Sequence, residues 1–128
     1  MRMETPIARV RGLGPAKHGA EDWWKVRLNS VTTLALFVWL LVSLLTLPNL
    51  EHATTIEWLR QPVNAVLMVL LIASTFWHSK FGVREWIDDY VHDEGLKLAA
   101  VALSTILHLV VGAIAAFSVF KIAFAGVA

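Results

Sequence analysis

Three long apolar stretches, at about Val31 to Leu47, Pro62 to Trp77 and Leu98 to Phe120, decide most of what this chain can become. A helix crossing the hydrocarbon core needs about 20 predominantly apolar residues. In lipid every backbone polar group must also be satisfied internally, which a helix does within its own segment. The sequence therefore predicts an all-α integral membrane protein with three transmembrane helices running up, down and up. Its 128 residues are 57% hydrophobic, above the roughly 45–50% of a soluble domain even with glycine counted. That leaves room for one compact membrane domain and nothing else.

Basic residues orient the spans. Arg2, Arg9, Arg11, Lys17, Lys25 and Arg27 precede the first, whereas the first connection holds only Arg60. Lys80, Arg84 and Lys97 flank the second connection, and Lys121 follows. Lysine and arginine favour cytoplasmic loops, so the N-terminus and second connection are expected inside and the C-terminus outside. The long polar lead with three acids is not that of a cleaved secretory signal. With no cysteine, the chain forms no disulfide and ligates no iron–sulfur cluster.

Residues 1–20 carry Gly12, Gly14, Pro15 and Gly19 and read as an irregular cytoplasmic arm. Glu21-Asp22-Trp23-Trp24 then begins an amphipathic approach, with acids suited to a helix start and indoles to the headgroup level. The domain expectation is accordingly 1–30 for arm and entry and 31–128 for the membrane domain. The first span stops at Pro48-Asn49, and residues 49–61 form a short outer connection with a helical turn around Ile56 to Leu59. Pro62 suits a first helical turn. The second span continues as a polar extension to about Tyr90, and Asp93-Glu94-Gly95 makes the inner turn.

Ionisable groups at membrane depth are costly, so His78 is a functional hypothesis by default. It sits near the end of the second apolar stretch, about 15 Å of helix before the inner end. Neutral imidazole is a good axial ligand for haem iron, or equally an interhelical hydrogen-bonding group. At about 100° per residue, Asp89 returns to within about 20° of the His78 face and Tyr90 lies about 120° away. Gly82, four residues on, leaves room for a planar group or another helix.

Tyr90 is either a phenolic donor to a quinone carbonyl or an interfacial tyrosine, with Asp89 free to orient a partner arginine or be solvated. Arg27 suits a haem propionate or a lipid phosphate. His108, at similar depth, either clamps one haem together with His78 or is a hydrogen-bonded packing residue. His18, His52 and His92 fall in polar connections. Ser43, Thr46, Ser74, Thr75, Ser104, Thr105 and His108 need protein, cofactor or water partners, which points to a larger bundle completed by a second membrane subunit. No phosphate loop, zinc-protease spacing or nucleophile elbow is present. The short basic arm, mixed with acids, does not argue for nucleic-acid binding.

Arg11-Gly12-Leu13-Gly14-Pro15-Ala16-Lys17 followed by Trp23-Trp24-Lys25-Val26-Arg27-Leu28 resembles the N-terminal arm of the small membrane anchor of succinate dehydrogenase. His78 with Asp89-Tyr90 eleven and twelve residues later is similar to that family's haem-ligand and quinone-site spacing. The resemblance implies a cytochrome b-type anchor in a bacterial cytoplasmic membrane, within a heterotetramer of respiratory complex II. Its partners would be a flavoprotein with FAD, an iron–sulfur protein and a larger cytochrome b anchor.

It implies that His78 is one axial ligand of haem b, the other coming from the larger anchor. Tyr90 would bond ubiquinone, Asp89 would support that site and Arg27 would approach a haem propionate. Electrons from succinate would reach ubiquinone at the inner face. Some family members place a histidine six residues before the arginine matched by Arg27; here that residue is Glu21, so no histidine-based route passes through it. The alternatives are an anchor of a quinol–fumarate reductase or a cofactor-free assembly scaffold.

Overall fold

The computed structural model describes the backbone of residues 17–125 and the side chains of residues 23–125. Within them lie four helices: α1 (Lys17–Thr46), α2 (His52–Arg60), α3 (Pro62–Tyr90) and α4 (Glu94–Phe124). The described residues contain no strand. Three helices are long and apolar enough to cross a membrane, over Trp23–Thr46, Pro62–Tyr90 and Glu94–Phe124. The expected all-α, three-span architecture is what the chain adopts.

The ends of the elements differ from expectation in two places. Residues 1–16 of the expected arm lie outside the described residues, but Lys17 to Ala20 are already helical. One glycine costs a helix only about 1 kcal/mol, and extending an established helix is far easier than nucleating one. Glu21 and Asp22 consequently lie beyond the first turn, which holds no acid, so they are poorly placed for the dipole end. The inner turn is also shifted. Residues 91–93 connect α3 to α4, and Asp93 is the N-cap, its Oδ1 accepting from the Leu96 amide at 2.7 Å. That cap satisfies one of the otherwise orphaned first-turn N–H groups and draws Gly95 into the helix.

The outer connection is more regular than a single turn. α2 fills it, with Leu59 buried against Ala65 and Val119. Trp58 stacks on Trp39 of α1 with ring centroids 5.7 Å apart, so α2 ties the outer ends of all three spans together.

α3 packs against both α1 and α4, while the backbones of α1 and α4 do not approach each other among the described residues. The three spans therefore form an open layer with α3 in the middle. Among the described residues only five apolar side chains are buried, Leu59, Ala65, Leu71, Ile87 and Val119. The remaining apolar surface is left for lipid or for neighbouring subunits, as bilayer solvation permits.

The α1–α3 contact is held by a polar cluster. Ser74 Oγ donates to Asn29 Oδ1 at 3.0 Å, Thr33 Oγ1 donates to the Asn29 carbonyl at 2.8 Å, and the Thr33 and Ser74 hydroxyls meet. Intramembrane hydrogen bonds of this kind contribute about 0.6 to 2 kcal/mol. Asn29→Leu should lower the temperature of half-inactivation of the membrane complex by an amount matching that range. An unchanged temperature would show that the cluster is dispensable.

Candidate functional site

α3 is unbroken from Pro62 to Tyr90, so the expected rotations along it hold. His78 is exposed on this helix and has no hydrogen-bond or ion-pair partner among the described residues. One turn on, a Cβ added to Gly82 would meet nothing within 4 Å. The imidazole thus lies beside an open strip of α3 that no other described helix covers. Helices of good propensity can carry a glycine at small cost, and here the missing side chain widens the approach to the histidine.

His108 has a different environment. Its Nδ1 lies 2.7 Å from the Ser104 carbonyl oxygen of its own helix, to which it donates, and its Nε2 lies 3.1 Å from Ser79 Oγ of α3. The ring also meets Phe76 edge-on, with centroids 6.2 Å apart. With one nitrogen engaged within α4 and the other across to α3, His108 sits as a hydrogen-bonded packing residue; the structure does not set it opposite His78 as a clamp.

At the inner end of α3 the two aspartates separate. Asp88 takes Lys97 Nζ at 2.7 Å and Arg84 Nε at 3.8 Å, and Lys97 also reaches the Asp88 carbonyl oxygen at 3.4 Å. It fastens the end of α3 to the first turn of α4. Asp89 is exposed and has no such partner among the described residues. Tyr90 is 67% exposed, stacks on Trp86 with centroids 5.2 Å apart, and its hydroxyl bonds nothing among the described residues. A phenol anchored by its ring and open at its oxygen is arranged to meet an external acceptor.

Arg27 stands on α1 with its guanidinium carbon 4.3 Å from the Trp23 ring centroid. It lines a recess of about 670 Å³ at the inner ends of α1 and α3, shared with Trp23, Phe81, Arg84, Glu85 and Asp88. Arg84 faces Asp88 there, which leaves the Arg27 guanidinium as the group suited to a carboxylate or phosphate.

These positions can be tested as a set for a haem. The porphyrin supplies four nitrogens to its iron, so this chain need contribute one axial ligand and no cluster. No group of three or more His, Cys, Asp or Glu capable of holding a metal occurs among the described residues. An unengaged imidazole, an adjoining glycine with open space and Arg27 at the inner end fit such a group.

Asp88→Asn and Asp89→Asn give a local test of the aspartate assignment. The first should loosen the inner turn, seen as faster proteolysis after Lys97, and the second should leave that cleavage unchanged. The reverse pattern would exchange their roles.

The sequence reading did not single out Asn29, Thr33 or Ser79, although each bonds a residue it named, and it placed Lys97 only beside the second connection. The spacing of Arg84 and Asp88, four apart on a helix, was the available signal for an ion pair. Nothing local marks Lys97, which becomes a neighbour only through the turn.

The family described as succinate dehydrogenase/fumarate reductase transmembrane subunit matches residues 1–121. The chain is 26% identical over 114 residues to the succinate dehydrogenase hydrophobic membrane anchor subunit of Rickettsia bellii, covering 87% of this chain and 91% of that one. Similarity to the subunit of the same description from Paracoccus denitrificans is 26% over 121 residues, covering 94% and 93%. That from Rickettsia conorii is 27% identical over 118 residues, covering 89% and 94%. No solved structure matches the chain.

Proposed function

We propose a haem- and quinone-binding role for this chain, which belongs to the succinate dehydrogenase/fumarate reductase transmembrane subunit family. It is a membrane anchor subunit of that enzyme, with three membrane-spanning helices. In this reading it works beside a flavoprotein carrying FAD, an iron–sulfur protein and a larger cytochrome b anchor that covers the open strip of α3. Residues 1–30 form the cytoplasmic arm and entry, and residues 31–128 the binding domain. The N-terminus faces the cytoplasm and the C-terminus lies outside.

His78 would hold haem b through its imidazole, with the larger anchor giving a second ligand. Arg27 would neutralise a propionate. When bound, the haem would supply a one-electron redox centre. Tyr90 donates its phenolic proton in a hydrogen bond to a ubiquinone carbonyl oxygen, and Asp89 orients a basic group of a partner beside it. The chain itself oxidises no succinate; it binds, orients and holds charge while the cofactors carry the electrons.

One observation carries this reading: His78 is an ionisable group in a span with no partner among the described residues, a costly arrangement unless something else engages it. The named relatives favour the succinate-oxidising direction over fumarate reduction. The test is affinity purification of the intact complex from membranes through a tag on this chain. Succinate-dependent ubiquinone reduction together with b-type absorbance is the expected result. A colourless assembly without quinone turnover would instead indicate a scaffold.

A further inference from the structure

A second feature of the layer lies away from His78. Between α3 and α4 runs a groove of about 280 Å³, lined by Val69, Phe76, Trp77, Lys80, His108 and Gly112 among others. Its lining is almost wholly apolar, and Gly112 lets α4 close on α3 at its floor, where an added Cβ would come within 3.3 Å of the Phe76 ring. At the inner end it meets a smaller hollow of about 100 Å³ that shares Lys80 and Thr105 and adds Arg84 and Ser104. The combined trough is apolar at one end and cationic with hydroxyls at the other. No carboxylate lines either part.

Its direction and depth suit one leaflet. From Val69 to Lys80 is about 16 Å of helix, close to half of the roughly 30 Å hydrocarbon thickness. Counting about 20 residues of core from Pro62 places Lys80 at the inner boundary of the hydrocarbon, next to Trp77. Lys80 is half-buried and has no hydrogen bond or ion pair among the described residues. Arg84 has only Asp88 at 3.8 Å, which Lys97 already holds at 2.7 Å. Lys80 is also two residues beyond His78, a rotation of about 200°, so the trough faces away from the strip assigned to haem.

We propose that this trough binds one anionic phospholipid, with an acyl chain between α3 and α4 and the phosphate at Lys80 and Arg84. Charge complementarity selects the occupant: a zwitterionic lipid brings a cationic headgroup to a trough end that already holds Lys80 and Arg84 and no carboxylate, whereas an anionic phospholipid brings a net negative charge beneath its acyl chain and satisfies both ends at once. The inference rests on the membrane placement of the chain and not on haem, so the lipid count and the b-type absorbance can fail independently.

The experiment uses the intact complex in detergent, supplied with phosphatidylglycerol or phosphatidylcholine of matched chains, with retained lipid counted by native mass spectrometry. Wild type should retain phosphatidylglycerol in preference. Lys80→Gln should cut that preference about fivefold, the attraction an anionic surface exerts on one lysine, with succinate oxidation by a soluble acceptor unchanged. Ala113→Leu, which fills the groove, should reduce retention of both lipids. Equal retention of the two lipids by wild type overturns the proposal even if neither variant assembles. So does unaltered retention in assembled Lys80→Gln and Ala113→Leu complexes, or ubiquinone recovered in place of lipid and lost with Ala113→Leu.

Discussion

Tyr90→Phe slows electron delivery from succinate to ubiquinone by about tenfold to a hundredfold while leaving succinate oxidation by a soluble acceptor intact. The figure follows from a hydrogen bond to an oxygen that gains charge as the quinone is reduced, worth about 1.5–3 kcal/mol, at about 1.4 kcal/mol per factor of ten in rate. The substitution removes one oxygen and retains the ring, so the stack on Trp86 and the end of α3 remain. The hydroxyl has no partner within the described residues, and removing it orphans no group among them. Parallel steady-state assays with ubiquinone and with a soluble dye separate the outcomes. Equal losses in both would mean misassembly, and no loss with ubiquinone would return Tyr90 to the role of an interfacial anchor.

What the sequence revealed and what it concealed have different physical origins. The spans were legible because bilayer thickness sets a length that hydropathy reports directly. The continuation of α3 past His78 was legible too, since residues 78–90 contain one glycine and no proline. Helix starts were less so: Lys17–Ala20 read as arm because Gly19 masks a run that the rest of α1 sustains, and Asp93 caps α4 where a turn through Gly95 was expected.

The site follows the same division. Positions on a single helix, such as His78 with Gly82 and Asp89, could be phased from spacing alone. Contacts between helices could not. Ser74 was expected to need a partner, but Asn29 and Thr33 become its partners only when α1 is laid against α3. Asp88 and Asp89 were indistinguishable as neighbours until Lys97 returned across the turn to take the first. The openness of the layer, with α1 and α4 apart, is likewise a property of packing. It is also the feature that leaves His78 uncovered.

His78→Ala tests the central claim most directly. Alanine is the strongest helix former, and His78 is exposed with no partner to orphan among the described residues, so α3 should persist. What is lost is the imidazole proposed to hold the haem. His108→Ala serves as the control, because its ring nitrogens are engaged by Ser104 of its own helix and Ser79 of α3. The measurement is the dithionite-reduced minus oxidised visible spectrum of the purified complex, normalised to flavin, for wild type and the two variants. The account predicts a b-type band in wild type and in His108→Ala that is abolished or shifted in His78→Ala. An unchanged band in an intact His78→Ala complex, or no band in wild type, would contradict it.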